Sequence, residues 1–232
     1  MLPNADEVQN HDQPIGIRPA EVSNDCYSNK LRHLENEYRS DSLPRILPET
    51  LLYVLDGRHK TDFENVIIVD CRFEYEHLGG HIEGAIRYDG KELLVEKLFE
   101  QAPLPRTLLV FYCEFSIYRA PQVAKHVRQH DRTVNYSQYP TLTYPEMYVL
   151  EGGYSKFFQL HTTRCYPQDY VRMKDQDHKQ CRKRSLDKLR KRRKHTHAKA
   201  FACGELNSKL ASDTAFDERL FSRDSSILKP LR

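Results

Sequence analysis

Two short runs of unbroken apolar sequence, Val66-Ile67-Ile68-Val69 and Leu108-Leu109-Val110-Phe111, restrict what this chain can fold into more than any other feature. A strand wetted on one face alternates apolar with polar residues, whereas one without a polar position is covered on both faces. That is the situation of a parallel strand between two layers of helix. Parallel neighbours need long crossover connections, and helical patterns stand where those crossovers belong. Pro48-Glu49 followed by Leu51, Leu52, Val54 and Leu55 predicts a short helix stopped by Gly57. Lys91 to Phe99 sets Leu93, Leu94, Val95, Leu98 and Phe99 on a helical stripe, and Val123, Ala124 and Val127 recur at helical spacing after the second run. Tyr148-Val149-Leu150 reads as a last strand and Tyr154 to Leu160 as a last helix. The fold class is α/β, with a mainly parallel central sheet, helices on both faces, and sites expected at the carboxyl ends of strands.

A chain of 232 residues has room for one ordinary domain and tails, not for two full cores. Residues 1–43 read as an acidic, disordered leader, residues 44–173 as the domain, and residues 174–232 as a basic, mostly disordered tail. The net charge of +3 conceals this asymmetry. Met1 to Pro44 carries 4 Lys and Arg against 8 Asp and Glu, and Arg172 to Lys199 carries 13 against 3. No run approaches the ~18 apolar residues that cross a bilayer, and Met1 to Asn10 holds no apolar stretch fit for a signal peptide. A soluble, intracellular protein with no membrane partner is expected. The six cysteines, Cys26, Cys71, Cys113, Cys165, Cys181 and Cys203, lack the Cys-x2-Cys spacing of zinc sites. No metal or other cofactor is expected, and a reducing compartment keeps the thiols free.

Chemistry is concentrated where the second apolar run ends. Cys113-Glu114-Phe115-Ser116-Ile117-Tyr118-Arg119 lies between a predicted strand and a predicted helix. A loop of this size curls so that backbone N–H groups face inward, an anion nest reinforced by the positive end of the following helix. Such a field favours thiolate over thiol. Arg119, forked and permanently charged, is suited to grip two phosphoryl oxygens while a cysteine sulfur attacks phosphorus. The spacing alone is a weak signal, since a cysteine in an apolar setting is more often a packing residue.

Several stretches together resemble the M-phase inducer phosphatases, which activate cyclin-dependent kinases within a rhodanese-like fold. These stretches are Leu47-Pro48-Glu49-Thr50, Val69-Asp70-Cys71-Arg72 through Gly79-Gly80-His81-Ile82-Glu83-Gly84-Ala85, Cys113-Glu114-Phe115-Ser116, and Tyr144-Pro145-Glu146-Met147-Tyr148-Val149-Leu150-Glu151-Gly152-Gly153-Tyr154. The resemblance runs from about Leu43 to Met173. It implies a rhodanese-like domain with Cys113 as nucleophile, Arg119 as phosphate clamp, and Glu114, Phe115, Ser116, Ile117 and Tyr118 as the phosphate-binding loop. The segment from Asp70 to Ala85 also resembles rhodanese sulfurtransferases. Their loops typically have six residues, and the seven from Cys113 to Arg119 suit phosphate better. The implied reaction is dephosphorylation of phosphothreonine and phosphotyrosine on a cyclin-dependent kinase–cyclin complex through a phosphocysteine, promoting cell-cycle progression.

Departures from the family pattern lie inside the loop. The family reads His-Cys-Glu-Phe-Ser-Ser-Glu-Arg-Gly-Pro where this chain reads Tyr112-Cys113-Glu114-Phe115-Ser116-Ile117-Tyr118-Arg119-Ala120-Pro121, so four positions differ. Tyr112 removes an imidazole that would help poise the thiolate, Ile117 a hydroxyl, and Tyr118 a carboxylate able to donate a proton. The general acid is left unassigned: Glu114 is expected to turn outward to a salt bridge, and Asp70 to cap backbone N–H groups at its strand end. Cys71 matches a family cysteine close enough to trap the nucleophile as a disulfide, so it is a candidate redox partner or an inert core thiol. The alternative function is a catalytically weakened relative that binds phosphoproteins.

The basic clusters Arg182-Lys183-Arg184 and Arg190-Lys191-Arg192-Arg193-Lys194 fit a nuclear import receptor, giving an expected location in nucleus and cytoplasm. No aromatic residues are interleaved to stack bases, so specific nucleic-acid binding is not expected.

Overall fold

Residues Leu108 to Cys113 alternate strictly between two apolar clusters: Leu108, Val110 and Tyr112 belong to one, Leu109, Phe111 and Cys113 to the other. Side chains of a strand point to opposite faces in turn, so this alternation marks a sheet buried on both sides. The computed structural model describes residues 30–34, 43–99 and 104–187. Among these, strands β1 (Arg45–Ile46), β2 (Asn65–Asp70), β4 (Ile86–Arg87), β5 (Thr107–Tyr112) and β6 (Met147–Leu150) form one sheet in the order β1-β6-β5-β2-β4. Every pairing in it is parallel. Strands β3 (His81–Ile82) and β7 (Cys165–Tyr166) make a small antiparallel pair beside it.

Helices cover both faces, as the apolar runs require. On one, Leu51 and Val54 of α1 (Pro48–Leu55) and Tyr154 and Phe157 of α5 (Gly153–His161) pack against Ile68, Val110 and Tyr148. On the other, Leu94 and Leu98 of α3 (Lys91–Phe99) and Val123, Ala124 and Val127 of α4 (Arg119–Val134) pack against Val69, Phe111 and Val149. A five-residue helix α2 (Glu74–Leu78) follows β2. The α/β class, the parallel sheet and the two helical layers match the sequence reading.

Two boundaries move outward. The leader was expected to end at residue 43, yet Leu31 is buried and donates its N–H to the Tyr148 hydroxyl at 3.2 Å, while Leu34 N–H donates to Arg45 O at 2.7 Å. Two leucines in a polar stretch make no sustained period, so this anchor has no clear sequence pattern. Past residue 173, a turn whose His178 ring stacks on Tyr75 at 5.1 Å leads to helical residues 179–187.

Candidate active site

Sheet register places the two cysteines. Asp70 on β2 stands opposite Tyr112 on β5, so Cys71 and Cys113, the next residues, leave neighbouring strand ends together. Cys71 N–H donates to Tyr112 O at 2.8 Å. Both thiols are free, each is 4% exposed, and both lie on the α3–α4 face. Burial pushes the Cys71 thiol well above its ordinary pKa, and the neighbouring Cys113 adds to the effect.

From Cys113 to Arg119, the first residue of α4, three loop carbonyls are claimed by residues outside the loop and a fourth by the first turn of α4. Cys113 O accepts from Tyr154 N–H at 2.9 Å, Glu114 O from Ser155 N–H at 3.0 Å, Ser116 O from Arg45 Nη1 at 2.9 Å, and Tyr118 O from Gln122 N–H at 3.1 Å. None of these peptides is cis, and in a trans peptide the C=O and the next N–H point in opposite directions. The N–H groups of Glu114, Phe115, Ile117 and Arg119 therefore point away from those partners. Gly153 makes the two α5 contacts possible: its φ is +60°, and a Cβ there would stand 2.3 Å from Cys113 O. Ser116 is fully buried with φ +53°, and its hydroxyl accepts Cys113 N–H at 3.4 Å.

Arg119 is held by a residue the sequence reading did not single out. Glu76, fully buried on α2, takes Nη1 at 2.5 Å and Nη2 at 3.0 Å, and also accepts Phe73 N–H at 2.9 Å. The guanidinium lies 5.2 Å from the centre of the Phe73 ring. Burial opposes the charge of Arg119, but Glu76 outweighs it and keeps the group firmly protonated.

Glu114 does not turn outward as expected. It is buried, accepts from the Tyr170 hydroxyl at 2.9 Å and Met173 N–H at 3.4 Å, and approaches Arg119 to 3.8 Å. Burial, then repulsion by Glu76, pushes its carboxyl above the usual range. The partners that draw it inward arrive from residues 169–173, distant in sequence. That segment lies against the Gly79-Gly80 turn, where a Cβ on Gly80 would meet Asp169 O at 1.9 Å.

Asp70 is the strand-end anchor predicted for it. It accepts Arg72 N–H at 3.0 Å, pairs with the Arg72 guanidinium at 2.7 Å and meets His77 at 3.0 Å. Burial alone would raise its pKa, but Arg72 and these hydrogen bonds hold it at about 2.

A family model for the rhodanese-like domain matches residues 53–160. The M-phase inducer phosphatase of Emericella nidulans is 48% identical over 176 residues, 76% of this chain and 32% of that protein. That of Schizosaccharomyces pombe is 40% identical over 191 residues, 82% of this chain and 32% of that protein. M-phase inducer phosphatase 3 of Homo sapiens is 39% identical over 156 residues, 63% of this chain and 33% of that protein. This chain belongs to the M-phase inducer phosphatase family. It spans about a third of the length of these relatives.

Against the M-phase inducer phosphatase loop pattern, the departures fall into two kinds. Tyr112 was expected to take the place of an imidazole that poises the thiolate, but strand alternation turns it to the α1–α5 face, opposite Cys113. There its hydroxyl accepts Ile82 N–H at 3.2 Å, and Arg72 lies 5.6 Å from its ring. It is a structural peg. Ile117, 45% exposed, and the half-buried Tyr118 do lie on the loop, beside the half-buried Phe115, while Ala120 is buried in α4. Among the described residues, no cluster of three His, Cys, Asp or Glu is placed to hold a metal ion.

Proposed function

We propose that this chain is a cysteine-dependent protein phosphatase of the cell cycle, with Cys113 as nucleophile and Arg119 as clamp, acting on a phosphorylated cyclin-dependent kinase–cyclin complex. One observation carries the reading: three loop carbonyls are tied by residues outside the loop and a fourth by the first turn of α4, which leaves four N–H groups to face the inside of the curl beside a buried cysteine. Inward N–H groups at a helix N-terminus suit a tetrahedral anion. The names of the relatives point to a cell-cycle phosphoprotein as substrate.

In the first step the Cys113 sulfur attacks phosphorus in line. An S–P bond forms, the ester O–P bond breaks, and its electron pair leaves with the tyrosyl or threonyl oxygen, which takes up a proton. Arg119 and the N–H groups hold the three equatorial oxygens. Water then attacks phosphorus, the S–P bond breaks, and phosphate departs from a regenerated thiolate. A threonyl oxygen requires that proton, whereas a phenolate largely does without it.

A second reading, a phosphoprotein-binding module, is favoured by Ile117 and Tyr118, which replace a hydroxyl and a carboxylate of the family loop. The basic clusters from Arg182 to Lys194 fit an import receptor and a location in nucleus and cytoplasm. Residues 188–194 lie outside the described residues, and Lys183 and Arg184 are exposed on the helical stretch 179–187. Phosphate release from the phosphorylated kinase complex and from an aryl phosphate, compared between wild type and Cys113→Ser, tests the enzyme reading. Turnover lost in the variant supports it. Capture of phosphopeptide without Cys113-dependent turnover on either substrate replaces it with the binding module.

A further inference from the structure

Two of the three contacts made on the loop from outside come from backbone N–H groups of α5, and the third comes from a side chain. Arg45 lies on β1, at the sheet edge and two strands from β5, yet is fully buried, and its Nη1 reaches Ser116 O at 2.9 Å. The same nitrogen meets Glu151 Oε2 at 3.2 Å, just before the glycines that start α5. Ser116 is the loop residue with positive φ, +53°, a conformation unfavourable for a non-glycine residue that persists only where its surroundings enforce it.

We propose that Arg45, aligned by Glu151, is a positioning residue of the phosphate loop. By holding Ser116 O outside, it fixes the Ser116–Ile117 peptide with the Ile117 N–H directed at the bound anion. Loss of the guanidinium lets that peptide rotate, removes one donor, and can turn a carbonyl toward the phosphate. This rests on the phosphatase reading of the loop, so its test includes a measurement independent of turnover. Alkylation of Cys113 by anionic iodoacetate relative to neutral iodoacetamide reports how well the loop attracts an anion.

In Arg45→Met, made in the whole 232-residue chain, kcat/KM for an aryl phosphate should fall about 10- to 100-fold, since loss of one oxyanion donor costs roughly 100-fold or more and misplacement less. Inhibition by inorganic phosphate should weaken about 10-fold, and the iodoacetate preference should drop in parallel. Arg45→Lys, which keeps one charged donor, should recover most of each. A folded Arg45→Met with wild-type phosphate inhibition and alkylation selectivity overturns the proposal, as does an Arg45→Lys no better than Arg45→Met. Failure of either variant to fold also overturns it, because Arg45 is then a core cation first. If no protein turns over substrate, the phosphatase reading fails, and alkylation selectivity still decides the role of Arg45.

Discussion

Glu76 holds Arg119 through both carboxylate oxygens, at 2.5 and 3.0 Å, and is itself sealed from solvent while Arg119 keeps 20% of its side-chain exposure. The proposed clamp is therefore aimed before any phosphate arrives. Its orientation costs little at the moment of binding, because the entropy of fixing the long side chain is lost on folding instead. Glu76→Ala should cost roughly 2 to 3 kcal/mol in urea denaturation, somewhat less than a fully buried pair because Arg119 reaches water. Aryl phosphate turnover should fall about 100-fold through loss of alignment, and unchanged turnover in a folded variant would show that Glu76 does not aim the clamp.

The neighbouring strand ends of Cys71 and Cys113 predict a protective disulfide. Peroxide converts the Cys113 thiolate to a sulfenic acid, and the Cys71 sulfur displaces water from it to form the S–S bond. Because burial raises the Cys71 thiol, closure should speed up as pH rises, when more thiolate is present. Peptide mapping after mild peroxide should find the linked pair, reversed by dithiol. Cys71→Ser should instead accumulate sulfinic acid at Cys113.

Tyr112 and Tyr118 should respond differently to substitution. Tyr112→Phe removes the acceptor for Ile82 N–H and should cost about 1 to 2 kcal/mol of stability, with aryl phosphate kinetics within about twofold of wild type. Tyr118→Glu restores a carboxylate on the loop and should raise the phosphothreonine rate more than the aryl phosphate rate. An equal rise on both substrates would remove proton donation as the reason.

Asp70 predicts an acid limb in stability. Its folded pKa of about 2 lies below the unbonded value of 3.8, so pairing contributes stability that is complete above about pH 4 and is lost as pH falls toward 2. The contribution is about 2 kcal/mol. Urea denaturation from pH 7 to pH 2 should show this loss in wild type, and Asp70→Asn should be less stable at pH 7 with a flatter profile.

The sheet and its helical layers were legible in the sequence because continuous apolar runs have few other solutions, and α3 spans Lys91–Phe99 as its stripe predicts. The cysteine-to-arginine spacing likewise marked the loop. What stayed hidden is long-range. Glu76 sits on a five-residue helix beside the exposed Glu74, too short for periodicity to say which carboxylate is buried. Arg45 reads as an ordinary strand-edge cation until β6 brings it under Ser116. The inward turn of Glu114 depends on Tyr170 and Met173, more than fifty positions away.

Both margins of the central sheet end in strands of only two residues, β1 and β4. At the β1 margin the chain's own Leu34 already occupies a pairing position against Arg45. A docking protein thus meets almost no open row of backbone donors and acceptors on which to extend the sheet. Among the described residues, strand addition at either margin of this sheet is closed off, and any docking partner is selected by the contours and charges that surround the loop.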